Sequence, residues 1–207
     1  MRRIGLFGGT FDPPHLGHLA LAEWARVRLR LDRVVFVPAG TPPHKRGRRL
    51  TDAALRLALT RLAVRGNPAF TVSDFEARRA GPSFTVDTLR HFHARQPGAR
   101  FYLLMGADSL ANFPTWHEPG EIARLATLVV AARPGPAGRA PGAGARSHPL
   151  VPARGGVRVV LLDNPPVAIS SSALRSRARA GRSLRYLVPD AVAASIARNG
   201  LYRRGAR

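Results

Sequence analysis

The chain has 207 residues, of which 45% are hydrophobic, and this length allows one domain with a full core. It contains no cysteine, which excludes disulfides, thiol catalysis and cysteine zinc sites. We find no apolar run long enough to span a bilayer and no signal-peptide pattern, so we expect a cytoplasmic protein with no membrane partner.

The formal net charge is +21, from 33 basic and 12 acidic residues, a balance typical of nucleic-acid-binding proteins. The arginines are nevertheless spread over the whole chain, and Lys45 is the single lysine. This pattern indicates a compositional bias towards arginine. We therefore expect no nucleic-acid partner, although the positive field should attract anionic substrates.

Short apolar segments alternate with helical segments along the chain. The predicted strands are 3–7, 33–38, 70–73, 100–106, 127–132 and 157–162. The predicted helices are 16–28, 52–65, 85–95, 119–125, 171–180 and 189–199. Strands that are apolar throughout favour an α/β fold with an open parallel sheet and helices on both faces. In such a sheet ligands bind at the carboxyl ends of the strands.

One stretch, 134–156, is rich in Pro, Gly, Ala and Arg. This composition predicts an exposed, mobile loop. Both a lid over the site and a passive insertion fit it, and composition alone favours the insertion.

The segment 4–18, IGLFGGTFDPPHLGH, carries the main functional signal. Gly8 and Gly9 follow the first strand and would let a ligand approach the backbone in a sharp turn. His15 and His18 then share one face at the start of a helix. A strand, a glycine turn and a helix N-terminus favour anion binding, and imidazole N–H groups add donors. Capping or packing would explain one histidine; two at this spacing favour a phosphate site.

Further candidates follow the other strands. Lys45, after the second strand in PAGTPPHKR, suits phosphate neutralisation, with chance survival of one lysine as the alternative. Ser83 and Thr85 precede a helix, where N-cap roles explain them. Asp108 follows a buried strand and could accept from ribose hydroxyls, help to hold a metal or cap a helix. Trp116 is a stacking wall for a flat ring or a core residue.

The last candidate segment is ISSSALR, in which three serines precede a helix that carries Arg175. Serines at a helix start act as caps, and the same amides and hydroxyls can cradle phosphate. Arg175 lies one turn into the helix, on the face towards that end.

Taken in order, these strings resemble bacterial nicotinate-nucleotide adenylyltransferases, within the nucleotidyltransferase superfamily that carries H-x-G-H. The strings are GGTFDPPHLGH, PPHK, SFTVDTL, GADSL, the TWHE tryptophan, ISSSALR and RYLVPDAVAASIARNGLY. They cover most of the chain outside 134–156. Two departures are Ser172, where the family usually has threonine, and the long segment after Arg133.

The resemblance implies a Rossmann-like nucleotidyltransferase domain over 1–207 that transfers AMP from ATP to nicotinate mononucleotide, with Mg²⁺, and releases pyrophosphate. It implies four catalytic residues: His15, His18, Lys45 and Arg175. It implies an ATP site made of Gly8, Thr10, Phe11, His15, His18, Gly106, Asp108, Ile169, Ser170, Ser171 and Arg175. It implies an acceptor site made of Asp12, His44, Lys45, Thr85 and Trp116, and assigns no metal ligand to the protein.

Two other hypotheses remain open, as does the oligomeric state, for which a homo-oligomer is one option. A sister enzyme would use phosphopantetheine or nicotinamide mononucleotide as the acceptor, although Thr85 and Trp116 suit a flat acidic pyridine better. A basic nucleic-acid-binding protein would instead show strongly salt-dependent binding.

Overall fold

The fold is a six-stranded parallel sheet, seen in a computed structural model that describes residues 1–43, 50–131, 157–165 and 167–203. The predicted loop 134–156 and the candidates His44 and Lys45 lie outside these residues. The strands are β1 (Arg3–Gly9), β2 (Arg33–Pro38), β3 (Phe70–Val72), β4 (Arg100–Gly106), β5 (Thr127–Ala131) and β6 (Val159–Leu162). Their order is β3-β2-β1-β4-β5-β6, so the strand order reverses between β1 and β4. Ligands bind at such switch points in open α/β sheets.

The six predicted helices are present within one residue at each end. They are α1 (Leu16–Arg28), α2 (Ala53–Val64), α4 (Thr85–Arg95), α6 (Pro119–Leu125), α7 (Ser171–Arg179) and α8 (Asp190–Arg198). Two short helices, α3 (Phe75–Arg78) and α5 (Ala107–Ala111), and a 3-10 turn at Phe113–Thr115 were not predicted, because they are too short to show a helical period. Among the described residues, no helix is long and apolar enough to cross a membrane.

Helices cover both faces of the sheet, as the sequence predicts. Alternate residues of β1 and β4 point to opposite sides. Ile4 and Leu6 pack in one cluster with residues of α4 and α6, including Leu89 and Ile122. Phe7 and Leu104 pack in the other cluster with Ala22 and Ala25 of α1. A third cluster joins α2, α7 and α8, and so attaches the end of the chain beside the carboxyl edge of the sheet.

The first strand is two residues longer than predicted. Gly8 and Gly9 are paired with Val37 and Pro38 of β2, so the glycines end the strand and the turn begins at Thr10. The expectation that both glycines form the turn is therefore wrong. Their role is close packing and open backbone at the end of β1.

Candidate active site

The loop between β1 and α1, residues 10–15, lies at the switch point of the sheet. Phe11 within it has a left-handed backbone with φ 48° and is 2% exposed. Its ring packs edge-on against Phe7 and His18, with centroid distances of 5.5 and 5.0 Å. A Cβ on Gly9 would lie 2.9 Å from this ring, which explains glycine there. Phe11, predicted to contact ATP, thus forms the floor of the loop, whereas Gly8 is exposed and a Cβ there would meet nothing.

The two histidines are stacked at the start of α1. Their ring centroids lie 3.6 Å apart with an interplanar angle of 24°. The backbone N–H of His15 donates to Nδ1 of His18 at 3.2 Å, so a neutral His18 carries its proton on Nε2. Burial lowers the pKa of His15 to about 4, which makes this ring neutral at pH 7. Because His15 is neutral, the stacked pair does not place two cations side by side.

The close approach of His15 to α1 depends on Gly17. A Cβ on Gly17 would lie 3.1 Å from Nδ1 of His15, closer than an ordinary contact. This Nδ1 is buried and has no hydrogen-bond partner within the described part of the chain. Buried polar atoms in proteins are normally paired with protein, water or a ligand. Packing alone therefore does not explain a histidine at position 15.

The start of α7 is bound directly to the 10–15 loop. The hydroxyl of Ser171 donates to the carbonyl of Pro13 at 2.9 Å. Arg175 donates from Nη1 to the carbonyl of Asp12 at 2.7 Å and from Nη2 to Ser172 Oγ at 3.3 Å. The structure thus brings Ser171 and Arg175 against the residues that lead into His15.

Ile169 and Ser170, which precede Ser171, have local structural roles. Ser170 caps α7 as expected, since its hydroxyl accepts from the backbone N–H of Ala173 at 3.2 Å. Ile169 is half-buried and packs against the cluster shared by α2, α7 and α8. Both lie immediately before the helix that bears Arg175.

Asp12 is turned towards the protein interior. Its side chain is 2% exposed, and its carboxylate accepts from the hydroxyl of Tyr202 at 2.7 Å and from the backbone N–H of Thr51 at 3.3 Å. Both carboxylate oxygens are therefore engaged inside the protein, and a buried carboxylate needs such partners. Asp12 was predicted to contact nicotinate mononucleotide; the structure places its side chain as an anchor beneath the loop.

Sequence reasoning missed Arg56, which is 1% exposed. Its guanidinium donates to the carbonyls of Thr10 at 2.9 Å, Ala39 at 2.6 Å, Gly40 at 2.9 Å and Thr51 at 2.8 Å. One side chain thus holds the ends of β1 and β2. Only arginine can do so, because its planar guanidinium carries several N–H donors in fixed directions. A signal was present, because Arg56 lies in the same helical stripe as the buried Leu59, Thr60 and Ala63 of α2.

A second buried group supports the segment after β2. The hydroxyl of Ser83 accepts from the backbone N–H groups of Gly40 at 2.9 Å and Thr41 at 3.2 Å. Glu76 is buried, accepts from Thr88 Oγ1 at 2.5 Å, and has a carboxyl pKa raised by burial. The bonds to Ser83 hold Gly40 and Thr41, which lie just before 44–49 in the chain.

The N-cap roles expected for Ser83 and Thr85 are wrong, and so is the N-cap alternative for Asp108. Phe84 occupies the N-cap position of α4 without a side-chain bond, so Ser83 braces the β2 segment and Thr85 is the first helical residue. Gly106 occupies the N-cap position of α5, which leaves Asp108 exposed within the helix. The roles of ribose contact and metal ligation that the sequence suggests for Asp108 stay predictions.

The remaining candidates follow β4, next to β1. A Cβ on Gly106 would meet nothing within 4 Å, so the backbone there is open. Trp116 is half-buried, lies 5.6 Å from Phe113 between ring centroids and packs against the cluster on the α4 and α6 side. One part of the Trp116 side chain therefore packs against the core, and the other part is accessible to solvent. No group of three or more His, Cys, Asp or Glu among the described residues is arranged to hold a metal ion.

A parallel sheet of this order, with a stacked histidine pair at its switch point and an arginine bound to the loop before that pair, defines a nucleotide-binding α/β protein of the H-x-G-H type. The pattern of the cytidylyltransferase-like family matches residues 6–177. A relative from Thermomicrobium roseum, described as a "probable nicotinate-nucleotide adenylyltransferase", is 49% identical over 98% of this chain and 92% of its own length. One from Roseiflexus sp. with the same description is 48% identical over 97% and 98%.

The chain therefore belongs to the cytidylyltransferase-like family, in the branch whose members are named nicotinate-nucleotide adenylyltransferases. Its fold is similar to that of the Plasmodium falciparum nicotinic acid mononucleotide adenylyltransferase complexed with NaAD. The TM-score is 0.77, at 16% identity and 98% coverage of both chains. The resemblance read from the sequence motifs is confirmed.

Proposed function

We propose that the protein transfers AMP from ATP to nicotinate mononucleotide, forming nicotinate adenine dinucleotide and pyrophosphate. The observation that carries the proposal is the stacked pair His15 and His18, which follows a loop whose carbonyls are bound by Ser171 and Arg175. The names of the relatives support the choice of nucleotide and acceptor.

The reaction is a displacement at phosphorus. A phosphate oxygen of nicotinate mononucleotide forms a bond to the α-phosphorus of ATP, and the bond from that phosphorus to the bridging oxygen breaks as pyrophosphate leaves. The acceptor is already an anion, so no general base is needed. Repulsion between the two anions and the charge that develops on the leaving group oppose the reaction. Hydrogen-bond donors held in fixed positions reduce the repulsion and stabilise that charge.

On the ATP side, His15 and His18 would donate hydrogen bonds to phosphate oxygens. The guanidinium of Arg175 would lie towards the departing pyrophosphate, where a permanent cation is worth most. The backbone at Gly8 and Thr10 would let the triphosphate approach the loop closely. Ile169, Ser170 and Ser171 would complete this side through the start of α7.

On the acceptor side, Thr85 and Trp116 would hold the nicotinate ring, with the indole stacked against it. His44 and Lys45, which follow residues 39–41 in the chain, would neutralise phosphate. Gly106 and Asp108 would face the ribose of the nucleotide.

The divalent cation that nucleotidyltransferases typically use, Mg²⁺ in this proposal, would enter with ATP. Mg²⁺ is commonly bound by substrate phosphates with one or two carboxylates, and the exposed Asp108 is the carboxylate we assign to its side. The ion would reduce the negative charge of the triphosphate.

The test is turnover of ATP and Mg²⁺ with three acceptors: nicotinate mononucleotide, nicotinamide mononucleotide and phosphopantetheine. Pyrophosphate release and chromatography of the dinucleotide are the measurements. We expect kcat/KM to be highest for nicotinate mononucleotide, by at least about ten-fold. Preference for either other acceptor would replace the proposed substrate, and no turnover with any of them would overturn the proposed reaction.

A further inference from the structure

The end of the chain returns to the 10–15 loop. The hydroxyl of Tyr202 donates to Oδ1 of Asp12 at 2.7 Å, across 190 residues of sequence. The Tyr202 ring packs against the cluster formed by α2, α7 and α8. The same C-terminal region makes a second contact with this end of α1, because the carbonyl of Leu187 accepts from the backbone N–H of Leu16 at 3.0 Å.

The bond from Tyr202 to the Asp12 carboxylate is shorter than the bond from the backbone N–H of Thr51, which measures 3.3 Å. A short bond from a hydroxyl to a buried carboxylate is charge-assisted and stronger than a neutral one. Burial and the charge of Asp12 raise the pKa of Tyr202, so its hydroxyl keeps its proton and remains a donor throughout the neutral range.

Asp12 transmits this contact to the proposed catalytic groups. Its carbonyl accepts from Arg175 at 2.7 Å, so one residue is held by Tyr202 through its side chain and by Arg175 through its backbone. The preceding residue, Phe11, has a left-handed φ of 48°, which a bulky residue keeps only where surrounding contacts fix it. His15 lies three residues after Asp12.

We infer that Tyr202 is a positioning residue for this site: its hydroxyl fixes Asp12, and through the Asp12 carbonyl it sets the place of the Arg175 guanidinium. The inference rests on the proposed function. Tyr202 does not touch the substrates in this arrangement, and it acts through Arg175.

The test compares Tyr202→Phe with Tyr186→Phe, the same chemical change at a tyrosine that is 78% exposed. Phenylalanine keeps the ring that packs in the cluster and removes only the hydroxyl. Each variant is assayed well below its own Tm, so that the folded fraction is the same. We expect Tyr202→Phe to lower kcat roughly ten-fold, as for loss of one hydrogen bond to a charged group. We expect the KM for nicotinate mononucleotide to stay within about two-fold and Tyr186→Phe to match the wild type.

A double-mutant cycle separates positioning from stability alone. In an Arg175→Ala background, Tyr202→Phe should change kcat by less than about two-fold, because the group that it positions is gone. Equal fold-changes in both backgrounds, or an unchanged kcat with only a lower Tm, would overturn the inference.

A binding measurement keeps this inference separate from the proposed reaction. Calorimetric titration with a non-hydrolysable ATP analogue needs no acceptor, and Tyr202→Phe should weaken its affinity roughly five- to ten-fold relative to Tyr186→Phe. An enzyme inactive with every acceptor but with this difference would contradict the proposed reaction alone. Equal affinities in the two variants would contradict the role of Tyr202.

Discussion

Gly17 is the position at which the contribution of the His15 ring to activity can be separated from stability. In Gly17→Ala, the new Cβ would lie 3.1 Å from Nδ1 and 3.2 Å from Cε1 of His15, and 3.6 Å from Cγ1 of Val167. The first two distances are a few tenths of an ångström too short. The His15 ring is stacked on His18 at 3.6 Å, so it can relax only by tilting or sliding within the pair.

The expected magnitudes follow from this geometry. Alanine in a helix is favoured over glycine by up to about 1 kcal/mol, and this gain offsets the strain of moving one ring. The Tm should therefore stay close to that of the wild type. Misplacement by about 1 Å can cost 10²-fold in rate, so a shift of a few tenths should lower kcat/KM for ATP roughly ten-fold.

Gly120→Ala is the matched control, because Gly120 is also the second residue of a helix and a Cβ there would meet nothing within 4 Å. Steady-state kinetics at saturating nicotinate mononucleotide, with thermal unfolding of both variants, makes the comparison. We expect Gly120→Ala to keep full activity. A Gly17→Ala enzyme with wild-type kcat/KM would refute the argument that the placement of the His15 ring controls the reaction.

Three further predictions concern the same site. His18→Ala should lower kcat on the order of 10²–10³-fold, like loss of one oxyanion donor, and an unchanged rate in stopped assays would remove His18 from catalysis. Arg56→Lys should lower the free energy of unfolding by about 3 kcal/mol and the Tm by about 6–12 °C, because the fork that binds four carbonyls is lost. Arg61→Lys on the same helix, where the arginine is 55% exposed, should shift the Tm by less than about 2 °C in the same calorimetric scan, and equal shifts would contradict the prediction. Because the folded pKa of His15, about 4, lies below its ordinary value of 6.5, its contribution to stability is complete above pH 6.5 and is lost as the pH falls towards 4. Denaturant unfolding should show this loss, about 3 kcal/mol, in the wild type but not in His15→Gln, and parallel pH dependence of the two would disprove it.

Local pattern was sufficient for most of the secondary structure. Apolar strands and helices with a clear period were predicted within one or two residues, because each carries its own signal over several residues. The four-residue α3 and five-residue α5 fell below that length. The N-cap roles predicted for Ser83 and Thr85, and the N-cap alternative for Asp108, were wrong because Phe84 and Gly106 occupy the N-cap positions instead.

The candidate site likewise contains residues that the sequence predicts and residues that it does not. The motif residues at the carboxyl ends of β1 and β4 were predictable, since parallel strands deliver the residues that follow them to one edge. The anchors were not, because their partners lie far away in the chain. Arg56 binds carbonyls from two other segments, and Tyr202 binds a carboxylate 190 residues earlier.

The amino-acid sequence by itself determined the alternation of strands and helices, the parallel sheet and the histidine pair on the first turn of α1. These features depend on residue type, periodicity and spacing within a few residues. Only the tertiary structure decided that Asp12 points inward, that the pKa of His15 is lowered to about 4, and that Arg175 meets the loop before α1. Burial and long-range hydrogen bonds set these properties, and both exist only after distant segments have packed together.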